Sequence, residues 1–272
     1  PKIAKLYKNP LTKWIVLKTV KTKLISTMGG CIRFFGIGGA PLDETVWDFL
    51  YSCHFPYALG YGLTETSPLI AGCGPKHKMH KKGYIGKPVK HDHVILLNKN
   101  EDGVGEIAVK GPNVMTGYYN NEELNKEVFT EDGYFKTGDL GYLDKHGYLS
   151  IRGRVKTMIL GPAGENIYPE SIESLINNME FVQESLVVPG DGGLVALIKI
   201  DLEAMQEKLK ISATDVKDEA EKYLVKLKKS VNEQLSSFSK IADTELQEKD
   251  FERTPTQKIK RFLYSRKKKE EK

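Results

Sequence analysis

Tyr61-Gly62-Leu63-Thr64-Glu65-Thr66 places an aromatic ring, a glycine, a hydroxyl and a carboxylate side by side. Glycine permits close backbone approach, and glutamate is a hard oxygen ligand suited to magnesium. A ring one residue before glycine could cover a flat base. The same residues also read as a glycine turn into a helix start capped by Thr64. Thr137-Gly138-Asp139 offers an ionised carboxylate whose two oxygens suffice for both hydroxyls of a ribose, or simply for the turn itself. The guanidinium after Gly153, Arg154, suits sugar or phosphate oxygens, or plain solvent. Thr254-Pro255-Thr256-Gln257-Lys258-Ile259-Lys260-Arg261 reads as a stiff loop presenting Lys258. That point charge is suited to negative charge developing on a phosphate, or to a cationic surface. His77, His80, His91 and His93 invite a metal reading. His91 and His93 would share one face at the start of a strand, but no further zinc ligands accompany them, so no metal cluster is expected.

These residues need elements to hold them. Trp14, Leu17, Val20, Leu24 and Met28 recur at spacings of three and four, which predicts an amphipathic helix ended by Gly29-Gly30. A short buried strand over 32–37, a turn at Gly38-Gly39-Ala40-Pro41 and a helix with Asp43 and Glu44 in its first turn follow, the wiring of an α/β layer. From about Gly83 the pattern changes to short strands, including 94–97 and 106–109. Turns at Glu131-Asp132-Gly133 and Asp144-Lys145-His146-Gly147 separate the later ones. Such a succession predicts a small antiparallel barrel or sheet.

Past Arg154 a strand over 155–160, a loop at Gly161-Pro162-Ala163-Gly164 and a helix opened by Pro169 are expected, with Ile172, Leu175, Ile176 and Met179 on its core face. A hairpin pairs 186–188 with 194–200 around a turn at 190–193. Val216, Ala220, Leu224, Leu227, Val231 and Leu235 mark a long helix. The fold class expected is α+β in two domains. Residues 1–153 close a large domain, α/β to about 83 and β-rich over 84–153, and residues 154–272 form a compact α+β domain.

Composition narrows the partners. Lys and Arg outnumber Asp and Glu by 20 to 15 through Gly153 and match them at 21 each beyond it, giving the formal +5 of the 272-residue chain. Basic and acidic residues alternate instead of gathering on one aromatic-studded face, so nucleic acid is not an expected partner. The run Arg266-Lys267-Lys268-Lys269, followed at once by Glu270 and Glu271, reads as a solvated tail, with peripheral contact to an anionic membrane as the second reading. Cys31, Cys53 and Cys73 are odd in number and lack CxxC spacing, which fits reduced thiols. The chain has no apolar stretch long enough to span a bilayer and opens on nothing like a secretory signal. A cytoplasmic protein is therefore expected, with contact at the inner membrane face as its peripheral option.

The order of the segments carries more than any one of them. Gly38-Gly39-Ala40-Pro41-Leu42, Tyr61-Gly62-Leu63-Thr64-Glu65-Thr66, Gly117-Tyr118-Tyr119-Asn120, Thr137-Gly138-Asp139, Gly153-Arg154, Gly164-Glu165-Asn166-Ile167-Tyr168-Pro169-Glu170 and the loop holding Lys258 together resemble the adenylate-forming superfamily. Within it they resemble the fatty acyl-CoA synthetases, over about 34–261. The resemblance implies that Gly39, Ala40 and Pro41 line an adenine slot, with Tyr61 stacking on the base and Gly62 close to it. It implies that Thr64 contacts phosphate and Glu65 helps hold Mg2+. Asp139 would take the ribose hydroxyls, with Ile151 and Arg154 beside the nucleotide. Lys258 would bridge carboxylate and α-phosphate. Lys156 falls at the family's hinge, and rotation there would exchange Lys258 for the loop of Gly164, Glu165 and Asn166, which meets coenzyme A.

Two departures accompany the resemblance. The family's Ser/Thr/Gly-rich phosphate loop would lie upstream of Pro1, so the chain reads as a carboxyl-terminal half expected to be inactive in adenylation by itself. Leu160 and Gly161-Pro162-Ala163 replace a commoner lysine and a shorter glycine turn. The implied activity is conversion of a carboxylic acid, a long or medium fatty acid by resemblance, to acyl-AMP with ATP and then to its coenzyme A thioester. Ligation to a carrier protein, another adenylating chemistry and a non-catalytic AMP-binding relative are the alternatives. The sequence is silent on oligomeric state.

Overall fold

The computed structural model describes residues 10–162, 164–212, 214–255 and 258–264. The readings made for Ala163, for Thr256 and Gln257, and for the basic run at 266–269 with Glu270 and Glu271 lie outside the described residues. The chain divides into two compact units, Pro1–Arg152 and Gly153–Lys272.

In the first unit, helix α1 (Pro10–Thr27) stops where Gly29 and Gly30 take φ of +90° and +79°. The Gly30 N–H donates to the Ile25 carbonyl at 2.8 Å, satisfying a carbonyl that the helix itself leaves open. Its apolar stripe is narrower than the spacing predicts. Leu17 is buried and Leu24 and Ile25 pack beside it, but Trp14 is 61% and Met28 44% exposed. Among the described side chains of the helix, Leu17, Leu24 and Ile25 meet the core, and the Lys18 ammonium sits 5.0 Å over the Trp14 ring.

Strand β1 (Phe35–Ile37) leads to helix α2 (Glu44–Ser52), whose first turn is capped by the Asp43 carboxylate accepting from the Val46 N–H. Strands β2 (Tyr57–Tyr61), β3 (Ala71–Cys73) and β4 (Lys87–Pro88) complete a sheet of order β1-β2-β3-β4. Its β1–β2 pair is parallel and the others antiparallel. Leu17, Trp47, Leu50, Phe55, Tyr57 and Leu59 form the core beneath it.

A second sheet of the order β5-β6-β7-β8 comprises β5 (His93–Leu97), β6 (Gly105–Lys110), β7 (Phe135–Leu143) and β8 (Leu149–Arg154). It is an open sheet, so of the two forms expected here the closed barrel is not the one adopted. Four short strands leave β5 and β8 as edges that do not pair with each other. Helix α3 (Glu122–Val128), capped by Asn121, lies between β6 and β7 in sequence. Ile70 and Ala71 join Ile107, Val109, Phe135 and Leu149 in one buried cluster, which ties the two sheets of this unit together.

In the second unit, residues 155–160 are not one strand. The Thr157 and Met158 N–H groups both turn back to the Arg154 carbonyl, at 3.3 and 3.0 Å. The Thr157 hydroxyl is drawn to the Glu170 carboxylate at 2.6 Å. Only β9 (Ile159–Leu160) pairs, with β10 (Asn166–Ile167). Helix α4 (Pro169–Asn177) buries Ile172 and Ile176. Strands β11 (Val182–Gly190), β12 (Gly193–Ile200) and β13 (Ile241–Leu246) form a mixed sheet with β12 at its centre. Helices α5 (Leu202–Leu209) and α6 (Val216–Asn232) lie between β12 and β13 in sequence. Alternation along β12 splits its side chains between two cores. Leu194, Ala196, Ile198 and Ile200 face the helices. Val195 and Leu197 join Leu186, Val188 and Phe251 on the other side.

The three cysteines are free. Among the described residues no helix is long and apolar enough to cross a membrane.

The expected turn at Asp144 is built as an Asx turn, its Oδ1 accepting from the His146 and Tyr148 N–H groups at 2.8 Å each. Its Oδ2 pairs with the Lys81 ammonium. Burial alone would raise this carboxyl, but the Lys81 hydrogen bond and the two N–H donors outweigh it and hold it at about 2, against an ordinary 3.8. A carboxylate so depressed contributes stability that is fully present above its unfolded pKa and is lost as pH falls through the folded one. Asp144→Asn is therefore expected to lower the urea midpoint at neutral pH, with the gap to the parent closing between pH 4 and 2. A gap that stays constant over that range would remove this ion pair as its cause.

Candidate functional site

Strands β1 and β2 run parallel with Phe35, Gly36 and Ile37 opposite Tyr57, Ala58 and Leu59. The segment 38–41 therefore leaves the sheet beside Tyr61 and Gly62, at the carboxyl ends of the two strands. Open α/β sheets take ligands at that edge. Gly39 has φ of +82° and open space where a Cβ would be, and a Cβ on Gly38 would stand 3.0 Å from the Gly60 carbonyl. Ala40 and Pro41 are exposed. At Gly62 the chain doubles back so closely that a Cβ would lie 1.7 Å from the Pro68 carbonyl oxygen. No side chain fits there.

Asp139 reaches this edge from the second sheet. Between the pairs Ala108↔Lys136 and Glu106↔Leu140, four steps along β7 match two along β6. The surplus bulges out as Thr137-Gly138-Asp139, with Gly138 at φ +71°. The Thr137 hydroxyl donates to the Ile107 carbonyl at 2.8 Å and accepts from the Asp139 N–H at 3.1 Å. The Gly138 N–H donates to Glu106 Oε1 at 3.2 Å. So braced, Asp139 is 5% exposed, and Tyr61 Oη donates to its Oδ2 at 2.9 Å. Ile151 and Tyr61 pack on the same buried cluster.

Thr64, Glu65 and Thr66 form a single 3-10 turn. Thr66, not Thr64, is the hydroxyl that locks it. Fully buried, it accepts from the Leu63 N–H at 3.0 Å and donates toward the Leu63 and Pro68 carbonyls. Thr64 is exposed and Glu65 half-buried. Tyr118 Oη donates to Glu65 Oε1 at 3.0 Å. Burial, and then the Glu65 carboxylate, push the Tyr118 phenol up. A single hard carboxylate fits magnesium, which takes one or two from the protein and further oxygens from phosphate. Among the described residues no group of three or more His, Cys, Asp or Glu is placed to hold a metal. His80 is buried against Tyr57, with its Nδ1 3.3 Å from Cys73 Sγ, and His77 stacks on His54.

Three residues without an assigned role in the sequence hold the turn in place. Asn113 Nδ2 lies within hydrogen-bond distance of the Thr66 and Leu69 carbonyls, at 2.9 and 2.8 Å. Asn125, on α3, clamps the Tyr118 backbone from both sides, at 2.7 and 3.0 Å, and Tyr118 in turn holds Glu65. Only Tyr118 had a sequence signal, as part of Gly117-Tyr118-Tyr119-Asn120.

The remaining expected site residues belong to the second unit. Arg154 ends β8 and Lys156 sits exposed in the turn after it. Gly164, at φ +90°, and Glu165 close the β9–β10 hairpin, with the Gly161 N–H donating to the Glu165 carbonyl at 2.8 Å. Asn166 pairs with Leu160. Lys258 is exposed, and its backbone carbonyl accepts from the Thr254 N–H at 2.8 Å. The first unit thus gathers Gly39, Ala40, Pro41, Tyr61, Gly62, Thr64, Glu65, Asp139 and Ile151. A shallow cleft of about 210 Å³ elsewhere on that unit, lined by Trp14, Leu17, Lys18, Lys21 and His54 among others, shares none of them.

The family model for AMP-binding enzymes matches residues 8–119. The 2-succinylbenzoate–CoA ligase of Oceanobacillus iheyensis is 35% identical over 195 residues, which are 71% of this chain and 40% of that protein. The long-chain-fatty-acid–CoA ligase FadD15 of Mycobacterium bovis is 33% identical over 267 residues, 92% of this chain and 43% of that one. The chain therefore spans less than half the length of either relative. Among solved structures, the o-succinylbenzoate CoA synthetase of Bacillus subtilis in complex with its acyl-adenylate intermediate superposes with a TM-score of 0.70. It is 28% identical over 92% of this chain and 50% of that one.

Gly62→Ala is expected to destabilise by about 3 kcal/mol or more, beyond ordinary overpacking, because backbone and not a movable side chain blocks the Cβ. Gly192→Ala, where a Cβ meets nothing within 4 Å, serves as the control in urea denaturation. Equal shifts for the two variants would show that close approach is not what demands glycine at 62.

Proposed function

The chain belongs to the adenylate-forming superfamily, and on that premise we propose that it is part of an ATP-dependent acid–thiol ligase that makes acyl-coenzyme A. The observation that carries the reading is the Tyr61–Asp139 pair at the carboxyl ends of β1 and β2. Asp139 has the two acceptor oxygens that a ribose diol needs, and the hydrogen bond from Tyr61 fixes its orientation. That bond also holds the Tyr61 ring at the strand end, where the adenine would stack between it and the 39–41 segment.

In the first half-reaction a carboxylate oxygen attacks the α-phosphorus of ATP, and pyrophosphate leaves. Mg2+, when bound, neutralises phosphate charge, and Glu65, held by Tyr118, is the residue that would take part in its coordination. Thr64 would meet phosphate and Arg154 the nucleotide. Lys258 would stabilise the charge growing at the carboxylate and α-phosphate oxygens. In the second half-reaction the coenzyme A thiol loses its proton and attacks the acyl carbonyl, and AMP leaves. Gly164, Glu165 and Asn166 would meet the pantetheine arm, with Lys156 as the hinge that alternates the two surfaces. The acid we propose is a long or medium fatty acid, in keeping with the fatty-acid ligase that aligns along nearly the whole chain.

In the full-length protein, Asp139→Ala is expected to weaken AMP binding by about 1.5–3 kcal/mol, roughly tenfold to 150-fold by calorimetry. Unchanged affinity would take Asp139 out of the site. Lys258→Ala is expected to slow acid-dependent exchange of pyrophosphate into ATP while sparing thioester formation from preformed acyl-AMP, and Gly164→Leu to do the reverse. Palmitate is expected to support exchange better than 2-succinylbenzoate. The opposite preference would overturn the fatty-acid assignment, and no exchange with any acid would favour a non-catalytic AMP-binding relative.

A further inference from the structure

The loop that presents Lys258 is pinned at both stems. Arg253 bridges to Ile259 in an isolated β-bridge, and the Lys260 N–H donates to the Glu252 carbonyl at 2.8 Å. On the entering stem, Arg253 Nη2 reaches both Glu184 oxygens at 2.5 Å. On the leaving stem, Arg261 forms a two-pronged pair with Glu173, Nη1 to Oε1 at 2.8 Å and Nη2 to Oε2. The Arg261 Nη2 also stands 3.8 Å from Glu170 Oε1.

Glu173 is unusual among the acids of this unit. It sits on α4 next to Ile172, and its residue is only 7% exposed. Its Oε1 also accepts from the Val187 N–H at 2.7 Å, a donor on the outer edge of β11 that no neighbouring strand satisfies. Burial pushes this carboxyl up, and the Arg261 guanidinium opposes the shift. A buried carboxylate is held ionised only by a partner of good geometry, and the planar guanidinium fork supplies that where an ammonium does not.

We propose that Arg261 is a positioning residue for Lys258, anchored on the buried Glu173 so that the lysine three residues earlier is presented in one fixed pose. The proposal rests on the adenylation role given to Lys258 above. A lysine on a five-bond tether gains reach from flexibility, but its charge acts on a transition state only where its Cα is held. A shift of about 1 Å in a catalytic group can lower a rate on the order of 100-fold.

The test uses the full-length protein and single-turnover kinetics on each half-reaction. Arg261→Gln is expected to slow acyl-AMP formation by roughly 10- to 100-fold and to leave thioester formation from preformed acyl-AMP within about twofold. In the Lys258→Ala background the same change is expected to slow acyl-AMP formation by less than about twofold more, since Arg261 acts only through the lysine. Arg261→Lys is expected to restore only part of the rate. Glu173→Gln is the second variant, and decides the matter if Arg261→Gln does not fold, because it leaves the half-exposed arginine free to be hydrated and keeps an acceptor for the Val187 N–H. It is expected to show the same selective slowing. Equal slowing of both half-reactions, or full additivity with Lys258→Ala, would reduce the pair to a structural ion pair and overturn the proposal. So would a parental rate in Arg261→Gln where Lys258→Ala is slow. A parental rate of acyl-AMP formation in Lys258→Ala would instead overturn the role of Lys258 itself.

Discussion

The hydrogen bond from Tyr61 Oη to Asp139 joins two sheets whose segments are 78 residues apart in sequence. Each of its two ends is braced by the strand that carries it. The Tyr61 end is fixed because β2 lies parallel to β1 and because Gly62 lets the chain fold back onto Pro68. The Asp139 end is fixed by the Thr137 hydroxyl and by Glu106 under the bulge. A buried carboxylate needs hydrogen-bond donors, and Tyr61 supplies one to Asp139, while under the proposed function its ring would also face the base. The turn carrying Glu65 is held by the Thr66 hydroxyl, by Asn113 and by the Met115 N–H, which donates to the Glu65 carbonyl at 2.8 Å.

The second unit solves a different problem, that of holding an exposed cation still. Its central strand is buried on both faces, and the face away from the helices is covered by Phe251 together with Ile259 and Tyr264. Tyr264 packs edge-on against Phe251 and its hydroxyl accepts from the Glu252 N–H at 2.8 Å. The segment that presents Lys258 is thus tied to the core through Phe251, Ile259 and Tyr264, while Lys258 itself stays exposed. Hydrophobic contact sets where the segment lies, while the arginine forks set how it is oriented.

Periodicity made much of this legible. The α1, α4 and α6 helices and the β11–β12 hairpin follow from apolar spacing, and the turns at Gly133 and Gly147 from glycines that take positive φ. Strand β13, Ile-Ala-Asp-Thr-Glu-Leu, carries no such signal, because its place is decided by parallel pairing to β12 across α5 and α6. Helix α3 buries no residue and is held by Asn121 and Asn125, which hydropathy does not register. The strand expected over 155–160 has the right apolar residues, but the Thr157 hydroxyl and the Arg154 carbonyl divert the backbone into a turn. At the site, residue types and their order pointed to Tyr61, Glu65 and Asp139. The supporting Asn113 and Asn125 stayed hidden, since an amide that bonds to backbone can stand anywhere the fold brings it.

The bulge in β7 also governs which changes of chain length this fold could survive. It adds an even number of residues, two, relative to β6, so side chains before and after it keep the same inward and outward sense, with Phe135 before it and Leu143 after it packed in one cluster. Deleting one residue there would invert every later side chain of the strand and turn its buried face outward. Deleting two would restore a smooth ladder and lose only the pose of Asp139. Descendants of this sequence could therefore shed the bulge without shedding the sheet, but only by a six-nucleotide deletion.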